Sequence, residues 1–320
     1  DLYLNETTRH ADVILPVPSQ LQRDHYDVLL LQFAIRNVAN YSTPVLSLDD
    51  GQPDEWEILA KLGMIAQGLG PDADPHLADD LAIEGLVRNS IGDHSSPIHG
   101  RNADEIIDLL NVEGRRGPAR MLDFMLQTGP YGAGFGTKAG GASLQLLLDN
   151  PHGVDFGALE SRLPDALRTR TGMIELAPEP LLADVSRLLD SIEEFTKNRF
   201  VLVGRRHLKT NNSWMHNIQV LVKGNVRCSL QMHTDDAKSL DLLSESADEV
   251  FVSVTSRVGS VVVPVEISDD IRPGVVSLPH GWGHDHPGTR MRIAESLSGV
   301  NSNILSDHEA MDPLSGTSVL

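Results

Sequence analysis

The sequence predicts a chain that is mixed α/β first and β last. It expects the end of an α/β domain over residues 1–70, a helical, loop-rich intermediate segment over 71–195, and a closed β-barrel of about six short strands over 196–320. Three observations predict this. Short apolar runs alternate with capped helical patterns at the start, helical patches separated by Gly and Pro follow, and from about residue 197 alternating strands succeed one another around one small helix.

The opening "DLYLNETTRHADVILPVPS" reads as strand, turn, short helix, strand. Leu2 and Leu4 alternate, Asn5 to Thr8 offer capping side chains, and "ADVILP" is a short buried apolar run stopped by Pro16. Residues 25–38, "HYDVLLLQFAIRNV", fit helix or strand equally. A helix is clearer in "DEWEILAKLGMIAQGLG", with Asp54 as cap, Trp56, Ile58, Leu59, Leu62 and Ile65 on one face, and Gly68 near its end.

Beyond residue 70, "PHLADDLAIEGLVRN", "NADEIIDLLNVEG", "GPARMLDFMLQTG" and "EPLLADVSRLLDSIEEF" are the helical patches. The glycine-rich "GPYGAGFGTKAGG" lacks the Gly-Lys-Ser/Thr of a phosphate loop and has no apolar strand leading into it, so it reads as a surface loop.

In the last third, "RFVLVGRR", "IQVLVKG" and "VRCSLQM" read as strands and "TDDAKSLDLL" as a short capped helix. "DEVFVSVTSRVGSVVVPVEI" is a hairpin in which Val252 and Val254 oppose Val261, Val263, Val265 and Ile267 around "SRVGS", and "GVVSL" adds one more strand. Strands of this length with crossover connections suggest a closed barrel.

Composition excludes several functions. The 26 Lys and Arg against 45 Asp and Glu leave a net charge of −19, which opposes general binding to nucleic acid or anionic membranes. With Cys228 as the only cysteine, neither an intrachain disulfide, a CxxC metal knuckle nor a four-cysteine iron–sulfur cluster can form within this stretch. Apolar runs such as Val28 to Leu31 fall far short of the roughly 20 residues that span a bilayer, so no membrane span is expected and the chain reads as soluble and cytoplasmic. It starts at Asp1, not Met, within an apparent strand, which reads as an excerpt of something longer.

Three loops of the β region concentrate polar groups: Gly204 to Asn217, Ser277 to Gly288 ("SLPHGWGHDHPG"), and Ser298 to Asp307. The first carries Arg205 and Arg206, able to fork onto anionic oxygens, and then Asn211, Asn212 and Ser213, which both donate and accept, beside the flat face of Trp214. The second has Gly281 and Gly283, which permit close backbone approach, among His280, Trp282 and His284. This set suits a flat, polyphosphate-bearing cofactor. The same residues also match ordinary turn composition and a solvated strand end. His280, His284 and His286 have a spacing that could hold zinc, yet a glycine-rich loop gives the imidazoles no fixed geometry, so no metal ligand is assigned. Cys228 reads as a buried structural cysteine, and the Asp235–Asp236 and Asp269–Asp270 pairs as caps and turns.

At these residues the sequence resembles a known family. "ETTRHADVILP" and "RTGMIEL" are similar to segments of molybdopterin-dependent oxidoreductases of the dimethyl sulfoxide reductase type, which include formate dehydrogenases and nitrate reductases, and residues 199–320 resemble their C-terminal molybdopterin-dinucleotide-binding domain. The resemblance implies a six-stranded double-psi β-barrel. It also implies a molybdenum bis(molybdopterin guanine dinucleotide) cofactor doing two-electron chemistry on a small formate- or nitrate-type substrate, and an electron-transfer partner. Any 4Fe-4S cluster and the molybdenum ligand would lie upstream of this stretch. By position, Gly204, Arg205, Arg206, Asn211, Asn212, Ser213, Trp214, Met215 and His216 become one cofactor loop. His280, Gly281, Trp282, Gly283 and His284 become a second, with Asn301 and Asn303 as amide contacts. Met173 stands where the family usually has lysine, and residues after "VILP" depart from its pattern, which places the chain in a side branch. Two rivals remain: a non-catalytic double-psi binding module, and a small metal-dependent hydrolase using the three histidines.

Overall fold

Residues 1–195, 200–210, 212–224, 227–243 and 249–318 are described by a computed structural model. The chain divides into two units, Asp1–Leu2 with Leu15–Leu163, and Tyr3–Ile14 with Pro164–Leu320. One break, between Leu163 and Pro164, falls inside the region that the sequence assigns to the intermediate segment, and Tyr3–Ile14, expected within the 1–70 part, groups with the C-terminal unit.

In the first unit, β1 (His25–Tyr26), β2 (Arg36–Ala39) and β3 (Tyr41–Ser42) settle the ambiguous 25–38 stretch as two short strands around a 3-10 turn at Leu30–Phe33. β1 pairs antiparallel with β3, and β2 pairs antiparallel with β4 (Val154–Ala158). Helices α1 (Glu55–Ala66), α2 (Pro75–Gly92), α3 (Ala103–Leu110), α4 (Pro118–Thr128) and α5 (Leu144–Leu148) lie between them in sequence. The Asp54 cap is as expected: its carboxylate accepts from the first helical amide, and Glu57 reaches back to the Asp54 N–H at 2.7 Å. Ile83, Val87, Ile98, Ile106, Leu110, Phe124 and Phe135 form the main core. The glycine-rich loop is not purely a surface feature, because Phe135 turns inward from it and is buried, with Arg101 donating to the Gly134 and Phe135 carbonyls.

The expected strand at "ADVILP" is absent. Val13 is 76% exposed and the segment is extended coil, because an apolar run becomes a buried strand only where a neighbouring strand covers it. The turn before it does hold, with Thr8–His10 forming a 3-10 helix whose start is capped by Asn5 Oδ1 accepting from the Thr7 and Thr8 amides.

The second unit contains α6 (Glu179–Ala183), α7 (Val185–Phe195), β5 (Val201–Arg205), α8 (Gln219–Val222), β6 (Leu230–Met232), α9 (Thr234–Ser239), β7 (Phe251–Thr255), β8 (Ser260–Ile267), β9 (Val275–Pro279) and α10 (Arg292–Glu295). The five strands form one mixed sheet in the order β5-β9-β6-β8-β7. β5 runs parallel to β9 and β6 parallel to β8, while β9–β6 and β8–β7 are antiparallel. The hairpin is as expected: Val261 and Val263 are buried while Val262 is 60% exposed. The expected strand at "IQVLVKG" is instead the single helical turn α8, with Val222 buried and Val220 exposed. A four-residue apolar run carries no period that separates the two, and its neighbours decide. The sheet therefore shows five strands among the described residues. Its core is Leu230, Met232, Val261, Val263, Val276, Leu278, Trp282 and Leu305, with Cys228. No helix among the described residues is long and apolar enough to cross a membrane.

Candidate functional site

Two predicted loops leave the sheet side by side because β5 and β9 are adjacent and parallel. Gly204 pairs with Leu278 and Arg205 with Pro279, so both chains emerge at the same end. The His280 amide then donates to the Arg205 carbonyl at 3.1 Å. The first loop folds into a 3-10 helix, Ser213–Asn217, and the Asn217 side chain accepts from the Ile293 amide at 3.1 Å, tying it to the start of α10. Asn211 lies outside the described residues.

Glycine makes the convergence of these loops possible. Gly281 has φ +86°, and a Cβ there would lie 3.4 Å from Ser213. Gly283 has φ +100°, and its Cβ would come within 2.6 Å of the Asn301 Cβ. All three loops singled out in the sequence therefore meet at one place.

They meet in two layers. Gly204, Arg206, Asn212, Ser213 and Asn303 are exposed, and Trp214, Met215, His280, Gly281 and Asn301 are half-buried. His216, Trp282, Gly283 and His284 are buried beneath them. Trp282 belongs to the core of the sheet, its ring 4.2 Å from that of His216, so it offers no open stacking face. Asn301 turns its side-chain oxygen back onto the Asn303 amide at 2.9 Å.

Arg205 differs from the expectation that it forks onto anionic oxygens. Its guanidinium donates to the Ser277 carbonyl at 3.1 Å and the Ser229 carbonyl at 2.9 Å, with Glu266 at 3.7 Å. The alternation of β5 directs this side chain across the sheet, and that places its donors on internal acceptors. Burial alone would raise the Glu266 carboxyl, yet the hydrogen bonds from Ser229 and Gln231 and the Arg205 charge outweigh it, and the group sits below its usual range. His207 is pushed down by burial and then by Arg205, with Glu266 opposing.

The inner layer contains an arrangement that sequence reasoning missed. His216 Nδ1 lies 2.8 Å from His284 Nε2, and His284 Nδ1 lies 2.9 Å from Glu6 Oε1. Burial, then the neighbouring His284, pushes the His216 imidazole down to about 4, while the Gly281 backbone opposes the shift. Glu6 arrives on the segment Tyr3–Ile14, which also receives the Arg290 amide on the Leu4 carbonyl at 2.7 Å and sends Arg9 to the Pro287 carbonyl at 2.9 Å. The only signal for Glu6 was its place in the "ETTR" motif.

Among the described residues no group of three or more His, Cys, Asp or Glu is placed to hold a metal ion. His284 is occupied by Glu6 and His216, and that leaves the histidine-rich stretch without a convergent ligand set. Cys228 is buried as expected: its sulfur accepts from the Val300 amide at 3.4 Å, and burial pushes the thiol up.

The outer layer fits a pterin dinucleotide by the chemistry of its donors. Asn212 and Ser213 beside His280 and Asn301 both donate and accept, as the edge of a pterin or guanine requires, and Arg206 stands exposed at the strand end.

Residues 200–320 match the family model described as the Molydopterin dinucleotide binding domain. No curated protein matches the chain. Among solved structures, Acetylene Hydratase from Pelobacter acetylenicus has the same fold at a TM-score of 0.54 and 15% identity, over 96% of this chain and 36% of that one. The chain thus spans little more than a third of that protein's length. Over residues 200–320, therefore, the chain carries a molydopterin dinucleotide binding domain.

Proposed function

We propose that this chain grips and orients a molybdopterin guanine dinucleotide, as the C-terminal part of a molybdenum bis(molybdopterin guanine dinucleotide) oxidoreductase. The observation that carries this reading is the convergence of the β5 and β9 loops, with Ser213 against Gly281, inside a matched dinucleotide-binding domain. When bound, the cofactor supplies two-electron redox chemistry at its metal. The chain supplies position. Arg206 faces anionic oxygens, Asn212 and Ser213 face a heterocycle edge, and Gly281 lets the backbone approach the ring system. Asn211 and Met215 extend the same loop.

The parallel and antiparallel pairing of the five-stranded sheet supports a double-psi barrel over 196–320, after the end of an α/β domain over 1–70 and a helical intermediate segment over 71–195. An iron–sulfur cluster, if the enzyme uses one, belongs to an upstream part, since one buried cysteine cannot hold it. A cytoplasmic enzyme with a separate electron-transfer partner and a formate- or nitrate-type substrate completes the reading. The structural neighbour is named for hydrating acetylene, so acetylene belongs in the substrate screen beside formate and nitrate.

The test is co-production of the full gene product with cofactor-synthesis enzymes, followed by measurement of molybdenum and released pterin. Both should be present and fall together in Ser213→Trp, which fills the outer face. Tight zinc with no pterin would overturn the reading in favour of a histidine-metal site.

A further inference from the structure

Glu6, His284 and His216 form a carboxylate–imidazole–imidazole chain that cofactor grip does not require. An ionised carboxylate only accepts, so Glu6 at 2.9 Å places a proton on His284 Nδ1. A neutral His284 then offers Nε2 as acceptor, and the 2.8 Å contact places a proton on His216 Nδ1. His216 Nε2 is left as the bare nitrogen, buried and without a well-aligned hydrogen-bond partner, while the Gly281 backbone acts on the same ring. The chain thus has a base at its inner end, packed against Trp282, and a carboxylate at its outer end that keeps 29% of its side-chain surface exposed.

We propose that Glu6, His284 and His216 are a proton relay between the interior of the cofactor loops and the surface. A proton that bonds to His216 Nε2 is handed on: the Nδ1–H bond of His216 breaks as an Nε2–H bond forms on His284. The His284 imidazolium that results rests against the Glu6 carboxylate. One proton enters, no electron moves, and the three groups pass from one net negative charge to none. Glu6 acts as a positioning residue, because it sets the tautomer of both rings from the N-terminal segment. Burial that keeps His216 uncharged directs the charge outward to His284. The other titratable groups facing the pair are His207 and His280, with Arg205 and Glu266 acting on His207. The relay's use in turnover rests on the reading that these loops face a redox cofactor whose two-electron chemistry exchanges protons with substrate.

Nitrogen-15 NMR of the cofactor-free chain, labelled at histidine, tests the relay apart from cofactor loading. At about pH 8, where free imidazole is neutral, both rings should carry Nδ1–H with Nε2 bare. In Glu6→Gln, whose amide offers His284 either a carbonyl or an N–H, the second tautomer should appear on both rings. An Nε2–H tautomer for His216 in the wild-type chain, or a Glu6→Gln spectrum identical to wild type, would each overturn the relay. Should Glu6→Gln not fold, the wild-type tautomers decide alone. Loss of molybdenum and pterin from the full gene product would remove the cofactor reading while leaving these spectra unchanged.

Discussion

His216 and His284 meet nitrogen to nitrogen at 2.8 Å across 68 residues of sequence, with both rings buried. Two imidazoles in that position are held by opposite parts of the second unit. His284 is set by the turn that Gly283 allows, and His216 by the 3-10 helix that Asn217 ties to α10. The arrangement has consequences that can be measured.

The first is a pH dependence of stability. The unfolded chain protonates His216 near its ordinary value of 6.5, whereas the folded chain refuses the proton until about 4. This contribution is therefore fully present above about pH 6.5 and is lost as pH falls toward 4, a loss of up to about 3 kcal/mol. Urea midpoints measured across that window should fall steeply for the wild-type chain and less steeply for His216→Asn. Equal slopes would exclude His216 as the source.

The second concerns the two glycines of the outer loop. Gly283→Ala meets both a left-handed backbone and the Asn301 backbone, and should cost about 3 kcal/mol or more. Gly281→Ala meets the same backbone strain with ordinary room beside Ser213, and should cost about 1–2 kcal/mol. Denaturant titration of the two variants checks the order. A reversal would mean that the loops do not pack as described.

Arg205 should behave as a structural residue. Its fork satisfies two sheet carbonyls and faces Glu266, so Arg205→Met leaves those acceptors unpaired and should cost about 2–3 kcal/mol. Arg205→Lys restores charge without the fork and should recover only part of it. Thermal unfolding of the two variants, followed by circular dichroism, separates them.

In the first unit the informative pair is Arg120 and Asp79, 2.7 Å apart with both side chains almost fully buried. Asp79→Asn leaves Arg120 with the half-exposed Asp80, also at 2.7 Å, as its one remaining carboxylate partner, and should cost about 1–3 kcal/mol. The double variant Arg120→Leu, Asp79→Leu should recover much of that loss. A double-mutant cycle in urea measures the difference.

Elements with strong local signals were legible in the sequence. Asp54 and Glu57 write a capping box, and the alternation of Val261, Val262 and Val263 writes a half-buried strand. The short runs were not. "ADVILP" and "IQVLVKG" are each apolar enough for a strand, and in the structure one is exposed coil and the other a helical turn. Of the candidate site, the three loops that converge were legible because their Asn, Ser, Arg and Gly stand out locally. The direction of Arg205 was not, because its acceptors, Ser229 and Ser277, come from other strands.

The sequence by itself determined the three loops, the glycines that bring them together, and the capped helices, all properties of residues within a few positions of one another. Tertiary structure alone decided what those residues touch. It sent Arg205 into the sheet and joined Glu6 to His284 across 278 positions. It also buried His216 so that its proton became costly. Contacts of that kind depend on which strands become neighbours, and strand order is set by the packing of the whole unit, so no local pattern records it.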